Sequence, residues 1–245
     1  MPNWLGDAVM ALPAAAAVRA EYPTAHLAIA AIPSVAPMFE ERTAVSPQQI
    51  VVVEKATEVA RLRAGAFDTI VLLPNSFRSA WVARQSGIPH RWGYAAGARG
   101  PLLTRTVARS GKGAHQSEYY AALVRGLHIA VAGGEPSIAP RETTTARAAR
   151  LLDGLTGPLV GFAPGAAYGH AKRWPPERVA DVVTRLVRER GAACVLVGAA
   201  GDREAGRAIE SSLPAGVQIV NLIGRTDLRL LIGVLSHCEA FVSND

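Results

Sequence analysis

The segment Val160–Pro175, VGFAPGAAYGHAKRWP, decides the fold more clearly than any other part of the chain. It begins within an apolar run, Leu159–Phe162, that is typical of a buried strand. The run ends at Pro164 in a loop of small residues. Lys172 and Arg173 then stand directly before a Trp-Pro-Pro sequence, where proline can open a helix. The order of strand, small-residue loop, cation and helix predicts an α/β fold with a phosphate-binding loop.

The prediction of phosphate binding depends on three properties of this loop. Small residues such as Gly165 let the backbone approach a ligand, the next helix offers free N–H groups, and the two cations neutralise negative charge. The alternative is an ordinary strand–helix loop with a solvated Lys-Arg pair. Because the chain has neither a Walker nor a GxGxxG pattern, the spacing alone leaves both interpretations open.

The composition is that of a globular protein. Its 245 residues are 49% hydrophobic and 19% charged, which is enough for one large domain or two medium ones. No apolar run reaches about 18 residues, and no signal peptide is recognisable. Cys194 and Cys238 are too few for a disulfide framework and fit no metal motif. We therefore expect a cytoplasmic protein.

The net charge of +6 favours anionic partners, such as nucleotides, nucleic acid or an acidic membrane surface. An arginine-rich and alanine-rich composition is an equally good explanation of this charge. Nucleic acid is disfavoured because no basic run is interleaved with aromatic residues. Peripheral contact with an anionic membrane remains open.

Apolar runs alternate with helical stretches, and this alternation predicts doubly wound parallel sheets with helices on both faces. The predicted strands are His26–Ile32, Ile50–Val53, Thr69–Leu73, Leu159–Phe162, Ala193–Val197 and Ala240–Ser243. The predicted helices are Val9–Glu21, Ala56–Arg63, Ser76–Gln85, Gln116–Leu127, Thr144–Leu152, Glu177–Arg190, Asp202–Ser211 and Asp227–His237.

A change in composition at Val131–Glu142, VAGGEPSIAPRE, is typical of a linker. We therefore predict an N-terminal Rossmann-like domain over residues 1–135, a linker over 136–143 and a C-terminal Rossmann-like domain over 144–245. Ligands of such sheets bind outside the carboxyl ends of the strands.

Both ends of the sequence suggest a fragment. The first seven residues are typical of a strand–helix loop without a strand before it, and in a doubly wound sheet that strand is usually central, so we expect a gap. Phe241–Asp245 predicts a strand that enters a loop without its covering helix, so we expect the second domain to be incomplete. The alternative is a complete small protein with an unusual sheet edge.

Segments spread over the whole chain resemble the heptosyltransferases of glycosyltransferase family 9, and they occur in the order of that family. They are PNWLGDAVMALP at Pro2–Pro13, LLPNSFRSA at Leu72–Ala80, GIPHRWGY at Gly87–Tyr94, PGAAYGHAKRWP at Pro164–Pro175 and VSND at Val242–Asp245. Each is weak alone, and their order makes the resemblance specific.

The resemblance implies a GT-B fold, in which two Rossmann-like domains face a cleft, and an inverting mechanism without a catalytic metal or a cofactor. It implies ADP-L-glycero-D-manno-heptose as the donor and the inner-core heptose of lipopolysaccharide as the acceptor, with peripheral contact at the inner membrane surface. Members of the family carry an apolar strand before the PNWLGD motif and a Ser-Gly-x-Met-His segment after the final Asn-Asp. Neither stands in this sequence.

Asp7 follows Gly6 at the start of the first helix, and on the residues alone it is read as an N-cap. The resemblance implies instead that Asp7 is the general base. Inversion requires a carboxylate that takes the proton of the acceptor hydroxyl as it attacks the anomeric carbon.

The predicted donor site combines the phosphate loop with acidic residues further along the chain. We expect Lys172, Arg173 and Gly165 to bind the diphosphate, and Glu204 or Asp202 to accept hydrogen bonds from the ribose. The alternative for the two acids is an N-cap Asp202 with a solvated Glu204. The resemblance adds Asn244 and Asp245, at the start of a loop that approaches the donor.

The predicted acceptor site follows the strand Thr69–Leu73. The resemblance places Asn75, Ser76 and Arg78 there, facing the anionic core of lipopolysaccharide. Ser76 alone is read as a helix N-cap. We expect the acceptor surface to extend to a further set of residues, which are His90, Arg91 and His115.

The predicted function is heptosyl transfer, and two alternatives belong to other classes. One is a non-catalytic fragment that binds a nucleotide sugar. Another is a dinucleotide oxidoreductase, which is disfavoured because no glycine fingerprint follows a strand. Within the family, a heptosyltransferase with a different acceptor remains open.

Overall fold

The structure is a computed structural model that describes residues 1–109, 113, 115–166 and 172–244. The chain forms two compact units, Met1–Ile138 and Ala139–Asp245. The boundary falls inside the segment 136–143 that the sequence analysis reads as a linker. The predicted division into domains over residues 1–135 and 144–245 stays a prediction.

The first unit contains short parallel sheets flanked by helices. Its helices are α1 (Leu5–Met10), α2 (Leu12–Glu21), α3 (Glu58–Ala64), α4 (Phe77–Gln85) and α5 (Gln116–Gly126). Its strands are β1 (Ala28–Ala31), β2 (Arg42–Thr43), β3 (Gln49–Val52), β4 (Thr69–Leu72), β5 (His90–Tyr94) and β6 (Arg105–Val107), and β7 (Ile138–Ala139) lies at the boundary. Strand β1 pairs with β3, and β4, β5 and β6 form a parallel sheet in that order.

The second unit is a parallel sheet covered by helices on both faces. Its helices are α6 (Glu142–Leu151), α7 (Pro176–Arg190), α8 (Arg203–Ser212) and α9 (Leu228–Leu235). Its strands are β8 (Leu159–Ala163), β9 (Ala193–Leu196), β10 (Val220–Asn221) and β11 (Ala240–Ser243), in the spatial order β10-β9-β8-β11. This is the order 3-2-1-4 of a Rossmann-type sheet.

The apolar run around Val160 folds as β8 because both faces of this strand are covered. Val160 and Phe162 pack with residues of α7 and α8 on one face. Leu159 packs with residues of α6 and α9 on the other face. A strand buried on both sides must be apolar throughout rather than alternating.

Helix α7 begins where the sequence analysis expects. Pro175 is its N-cap, Pro176 is its first residue, and Gly191 ends it in the left-handed conformation, with φ 61°. Proline fits the first turn because that turn has no intrahelical acceptor for its N–H groups, and glycine tolerates positive φ without strain. Helix α1 ends at Met10 and α2 begins at Leu12, with Pro13 in the first turn of α2, where proline is tolerated.

Five of the described strands were not predicted from the sequence, namely β2, β5, β6, β7 and β10. The first helix begins at Leu5 rather than at Val9. Short strands that carry arginine, histidine or asparagine give no apolar run. They form here because neighbouring parallel strands supply their hydrogen-bond partners.

The two cysteines lie in the second unit and are not bonded to each other. Cys194 is fully buried in β9, and burial raises the pKa of its thiol to about 11. Cys238 is half-buried, and burial raises the pKa of its thiol as well. A side chain at Gly161 of β8 would collide with the ring of Phe241 and the sulfur of Cys238, so glycine at this position allows β11 and its preceding turn to dock.

A cavity of about 640 Å³ separates the free edges of β1 and β4. Side chains of both strands line it, together with Val18 of α2, Leu62 of α3 and Val82 of α4. In each strand, alternate residues turn their N–H and C=O groups toward the cavity because the others pair with β3 or β5.

The α-amino group of Met1 partly fills this cavity. It donates a hydrogen bond of 2.6 Å to the carbonyl oxygen of Ala30, on the free edge of β1. Burial lowers the pKa of this group to about 6, so the charged form is disfavoured there. A neutral peptide N–H would make the same hydrogen bond without that penalty.

We expect an apolar strand added before Met1 to stabilise the first unit. Five alternating valine and isoleucine residues would pair with the free edges, bury apolar side chains and replace the ammonium by an amide. The melting temperature should rise by about 5 °C, as calorimetry would measure. A glycine–serine extension of equal length is the control. Equal melting temperatures for the two extensions would show that the cavity does not accept a strand.

Candidate active site

The carboxyl ends of β8 and β11 define the first part of the site. The strand order reverses between these two neighbours, and ligands of open α/β sheets bind at such a reversal. The Asn244 side chain bridges it. Its Nδ2 donates to the carbonyl oxygens of Pro164 at 2.7 Å and Gly165 at 3.4 Å, and its Oδ1 accepts from the backbone N–H of Trp174 at 3.4 Å.

Arg173 and Asp202 join this loop to the loop after β9. Arg173 Nη2 lies 3.3 Å from Asp202 Oδ1 and donates to the carbonyl oxygen of Ala166 at 3.3 Å. Asp202 Oδ2 accepts from the N–H of Ala199 at 3.1 Å. A side chain at Gly165 would collide with the Asp202 carboxylate, which is why a residue without a side chain stands there.

This arrangement bears on the role predicted for Asp202, which is a hydrogen bond with the ribose. Both of its carboxylate oxygens are occupied by protein groups, and its side chain is only 15% exposed. Asp202 stands at the N-cap of α8 but does not cap it with its side chain. Asp202 therefore holds Arg173 in place, and its predicted contact with the ribose stays a prediction.

Lys172 and Glu204 are more accessible. Lys172 is exposed and stands at the end of the loop, four residues before α7 begins. Glu204 is exposed in the first turn of α8 and forms no ion pair in the part of the chain that the structure describes. Asp245, also predicted at the donor site, lies outside the described residues. The donor roles of these residues stay predictions.

In the first unit, Asp7 lies in the first turn of α1 and is half-buried. Trp4, not Asp7, is the N-cap of this helix. The Asp7 carboxylate has no hydrogen bond or ion pair with the described residues. Its charge acts on Tyr120 of α5, where burial first and then Asp7 raise the pKa of the phenol. The structure thus places Asp7 beside α5, and its role as the general base stays a prediction.

The loop between β4 and α4 carries the predicted acceptor residues Asn75, Ser76 and Arg78, all of which are exposed. Ser76 caps α4, and its hydroxyl accepts from the N–H of Ser79 at 3.2 Å. Arg78 Nη2 lies 2.5 Å from Glu58 Oε2. The structure therefore brings these three residues together at the carboxyl end of β4.

Tyr119 of α5 connects this loop to the start of α5. Asn75 Nδ2 donates to its hydroxyl oxygen at 2.8 Å, and the guanidinium of Arg109 lies 5.6 Å from its ring centroid. His115 stands at the N-cap of α5, where Nδ1 accepts from the N–H of Ser117 at 3.4 Å. The predicted His115 thus has a local structural role at the same edge of the sheet.

The sequence analysis expected His90 and Arg91 to extend this surface. Their positions in the sheet contradict that expectation. Both begin β5, which runs parallel to β4 with Thr69 opposite His90, so they lie at the opposite edge of the sheet from Asn75. Arg91 is also engaged structurally. It donates to the carbonyl oxygens of Leu102 at 2.7 Å, Ile88 at 2.5 Å and Pro89 at 3.0 Å.

The sequence analysis gave no role to Tyr119 or Arg99, and it placed Asn244 near the donor only through the resemblance. Asn244 stands in the VSND segment, which was the available signal. Tyr119 and Arg99 gave none, because their partners are distant in sequence.

Among the described residues, no group of three or more His, Cys, Asp or Glu side chains is placed to hold a metal ion. No described helix is long and apolar enough to cross a membrane.

The family model of glycosyltransferase family 9 (heptosyltransferase) matches residues 58–245. This range includes the Asn75 loop and the whole of the second unit. The chain belongs to glycosyltransferase family 9. It is therefore a glycosyltransferase, and the resemblance found in the sequence is confirmed.

Curated relatives of this family member match along its whole length. Lipopolysaccharide heptosyltransferase 2 of Salmonella typhimurium is 30% identical, with 100% of this chain and 75% of that protein covered. Lipooligosaccharide heptosyltransferase 2 of Haemophilus influenzae is 29% identical, with 100% of this chain and 76% of the relative covered.

Solved structures support the GT-B fold of this family member. E. coli ADP-heptose LPS heptosyltransferase II gives a TM-score of 0.85 at 29% identity, covering 100% of this chain and 77% of that one. E. coli heptosyltransferase WaaC with ADP-2-deoxy-2-fluoro heptose gives 0.75 at 17% identity, covering 99% and 80%. At that identity the second match shows the fold alone.

We expect Asn244→Ala to weaken ADP binding about tenfold. The change removes the hydrogen bonds that hold both sides of the loop, and each contributes about 1 kcal/mol net. Isothermal calorimetry with ADP measures the effect. Ser243→Ala, at the neighbouring exposed position, is the matched control. Equal ADP affinity in both variants would show that the Asn244 bridge does not shape the nucleotide site.

Proposed function

We propose that this family 9 glycosyltransferase transfers heptose from ADP-heptose to the inner-core heptose of lipopolysaccharide, with inversion and without a catalytic metal. The observation that carries the proposal is the Lys172–Arg173 loop at the reversal point of the Rossmann-type sheet. The relatives named lipopolysaccharide heptosyltransferase 2 support the choice of sugar and pathway.

In the proposed reaction, the acceptor hydroxyl oxygen attacks the anomeric carbon of the heptose from the side opposite the diphosphate. A new C–O bond forms as the bond to the phosphate oxygen breaks, and the electron pair leaves with ADP. The hydroxyl proton passes to Asp7. This residue suits the role because its carboxylate is half-buried and unpaired among the described residues.

The negative charge that develops on the leaving diphosphate must be met by fixed donors. We assign this role to Lys172, aided by Arg173 and the start of α7. Arg173 is already fixed by Asp202 and Ala166, so it contributes little reorganisation cost when the nucleotide binds. Lys172 is exposed and lies on the same loop. We place Glu204 at the ribose because its carboxylate is exposed at the start of α8.

The acceptor is proposed to bind the first unit around Asn75, Ser76 and Arg78. We also propose peripheral contact with an anionic membrane surface. Its support is the net charge of +6 and an exposed aromatic pair on α4, Phe77 and Trp81, whose ring centroids are 6.3 Å apart. Aromatic and basic residues together favour the interfacial region of a membrane.

Asp7→Asn should lower turnover by a factor of about 10²–10⁴, because the amide cannot take the proton of the acceptor hydroxyl. Donor binding should change little. Mass spectrometry of the heptosylated acceptor measures turnover, and calorimetry with ADP measures donor binding. Glu21→Gln, which removes an exposed carboxylate at the end of α2, is the matched control. Turnover in Asp7→Asn equal to that of the control would exclude Asp7 as the base.

Lys172→Ala should weaken ADP binding about tenfold or more and slow transfer. A hydrogen bond to a charged group contributes about 1.5–3 kcal/mol. Arg188→Ala removes an exposed cation from the far end of α7 and is the matched control. If both variants bind ADP like the unmodified protein, the assignment of the phosphate loop fails.

A further inference from the structure

The Asp202 carboxylate packs against the backbone of the two loops that follow β8 and β9. A Cβ atom at Gly165, in the loop after β8, would lie within 2.4 Å of the carboxyl carbon and of both its oxygens. A Cβ atom at Gly198, directly after β9, would lie 3.3 Å from Oδ2. The carboxylate reaches this position because the residue at 165 has no side chain.

Both oxygens of this carboxylate already hold protein groups. Oδ1 lies 3.3 Å from Nη2 of Arg173, and Oδ2 accepts from the backbone N–H of Ala199 at 3.1 Å. The Asp202 side chain is mostly buried. A carboxylate with a donor on each oxygen and little exposed surface is suited to holding protein groups rather than to receiving a ligand.

The three nitrogen atoms of the Arg173 guanidinium have different surroundings. Nη2 makes both protein contacts, with Asp202 and with the carbonyl oxygen of Ala166 at 3.3 Å. Nε is buried without a hydrogen-bond partner among the described residues. Nη1 donates to none of the described residues and, unlike Nε, is not enclosed by protein. The guanidinium is therefore anchored through Nη2, and Nη1 remains for a ligand.

The loop that carries Arg173 is held from both neighbouring strands. Asn244, at the end of β11, donates to the carbonyl oxygens of Pro164 and Gly165. Asp202 holds the same loop from the side of β9. Arginine has many rotamers, and ordering it on ligand binding costs free energy. A guanidinium that is already fixed binds a phosphate group without that cost.

We propose that Asp202 is a positioning residue of the donor site. It orients the Nη1 atom of Arg173 toward the diphosphate and does not itself touch the nucleotide. That the diphosphate belongs to ADP-heptose rests on the proposed function. Two other roles of Asp202 are a direct contact with the ribose and a purely structural ion pair, and each predicts a different pattern of affinities.

ADP and adenosine separate these roles, because they share the ribose and only ADP carries the diphosphate. Calorimetry measures ADP affinity and nitrogen-15 NMR titration measures adenosine affinity, in the unmodified protein and in Asp202→Asn. Asparagine keeps an oxygen acceptor for Ala199 and removes the charge that holds Arg173. ADP affinity should fall about tenfold, with adenosine affinity unchanged. An equal loss for both ligands would assign Asp202 to the ribose, and unchanged ADP affinity would leave a structural pair; either result overturns the proposal.

Glu189→Gln is the matched control for the removal of a charge. It breaks an exposed ion pair with Arg185 at the other end of α7, where Nε and Oε1 are 3.4 Å apart. Both affinities should stay unchanged in this variant. A loss of ADP affinity equal to that in Asp202→Asn would indicate a general effect of charge and would overturn the assignment.

A double-mutant cycle tests whether Asp202 acts through Arg173. Arg173→Ala alone should weaken ADP binding, and the further change Asp202→Asn should weaken it no more, because the group that Asp202 orients is already absent. Additive losses of ADP affinity would show that Asp202 acts independently of Arg173 and would overturn the proposal.

Gly165→Ala displaces the Asp202 carboxylate without changing a charged group. It should weaken ADP binding in the presence of Arg173 and add nothing to Arg173→Ala. Gly201→Ala is its matched control, because a Cβ atom there meets nothing within 4 Å. If Asp202→Asn does not fold, this pair decides, and equal ADP affinities in the two alanine variants would overturn the proposal.

The unmodified protein distinguishes a failure of this inference from a failure of the proposed function. Absence of ADP binding in the unmodified protein would overturn the proposed donor and this inference together. Normal ADP binding, combined with a contrary pattern among the variants, would overturn the role of Asp202 alone.

Discussion

The pairing of β8 with both β9 and β11 is the constraint on which the second unit depends. Strand β8 has a strand on each side and helices on each face. The chain that follows it therefore leaves the sheet at the carboxyl end of the strand. The loop with Lys172 and the loop with Asn244 leave the sheet at that end. The strand order therefore sets the position of the candidate site, and the side chains of the two loops adjust its local geometry.

The two units use arginine in opposite ways. In the second unit, Arg173 is paired with Asp202, and this ion pair holds the loop in place. In the first unit, Arg99 is buried against carbonyl oxygens and has no carboxylate partner among the residues that the structure describes. The paired arrangement fixes geometry, whereas the unpaired one also keeps a charge in the interior of the first unit.

The sequence was most informative where an element is apolar and continuous. Strand β8 and helix α7 were placed closely because burial on both faces and a Pro-Pro start leave few alternatives. Strand β5, HRWGY, was missed because its hydrogen bonds come from distant neighbours, and this error put His90 and Arg91 at the wrong edge. The bonds of Arg99 span 20 or more residues to Pro74 and Ser79, which no local pattern encodes.

Because residue 161 is a glycine, the reactivity of the Cys238 thiol depends on whether β11 is docked on β8. Phe241 and Cys238 pack in the space that its missing side chain leaves, so the Cys238 sulfur is shielded only while β11 is docked on β8. Cys194, by contrast, lies in the centre of the sheet and is released only when the sheet itself opens. The two thiols should therefore react with a thiol reagent on separate time courses. Cys238 should react when the edge strand β11 detaches, and Cys194 should react only on global unfolding.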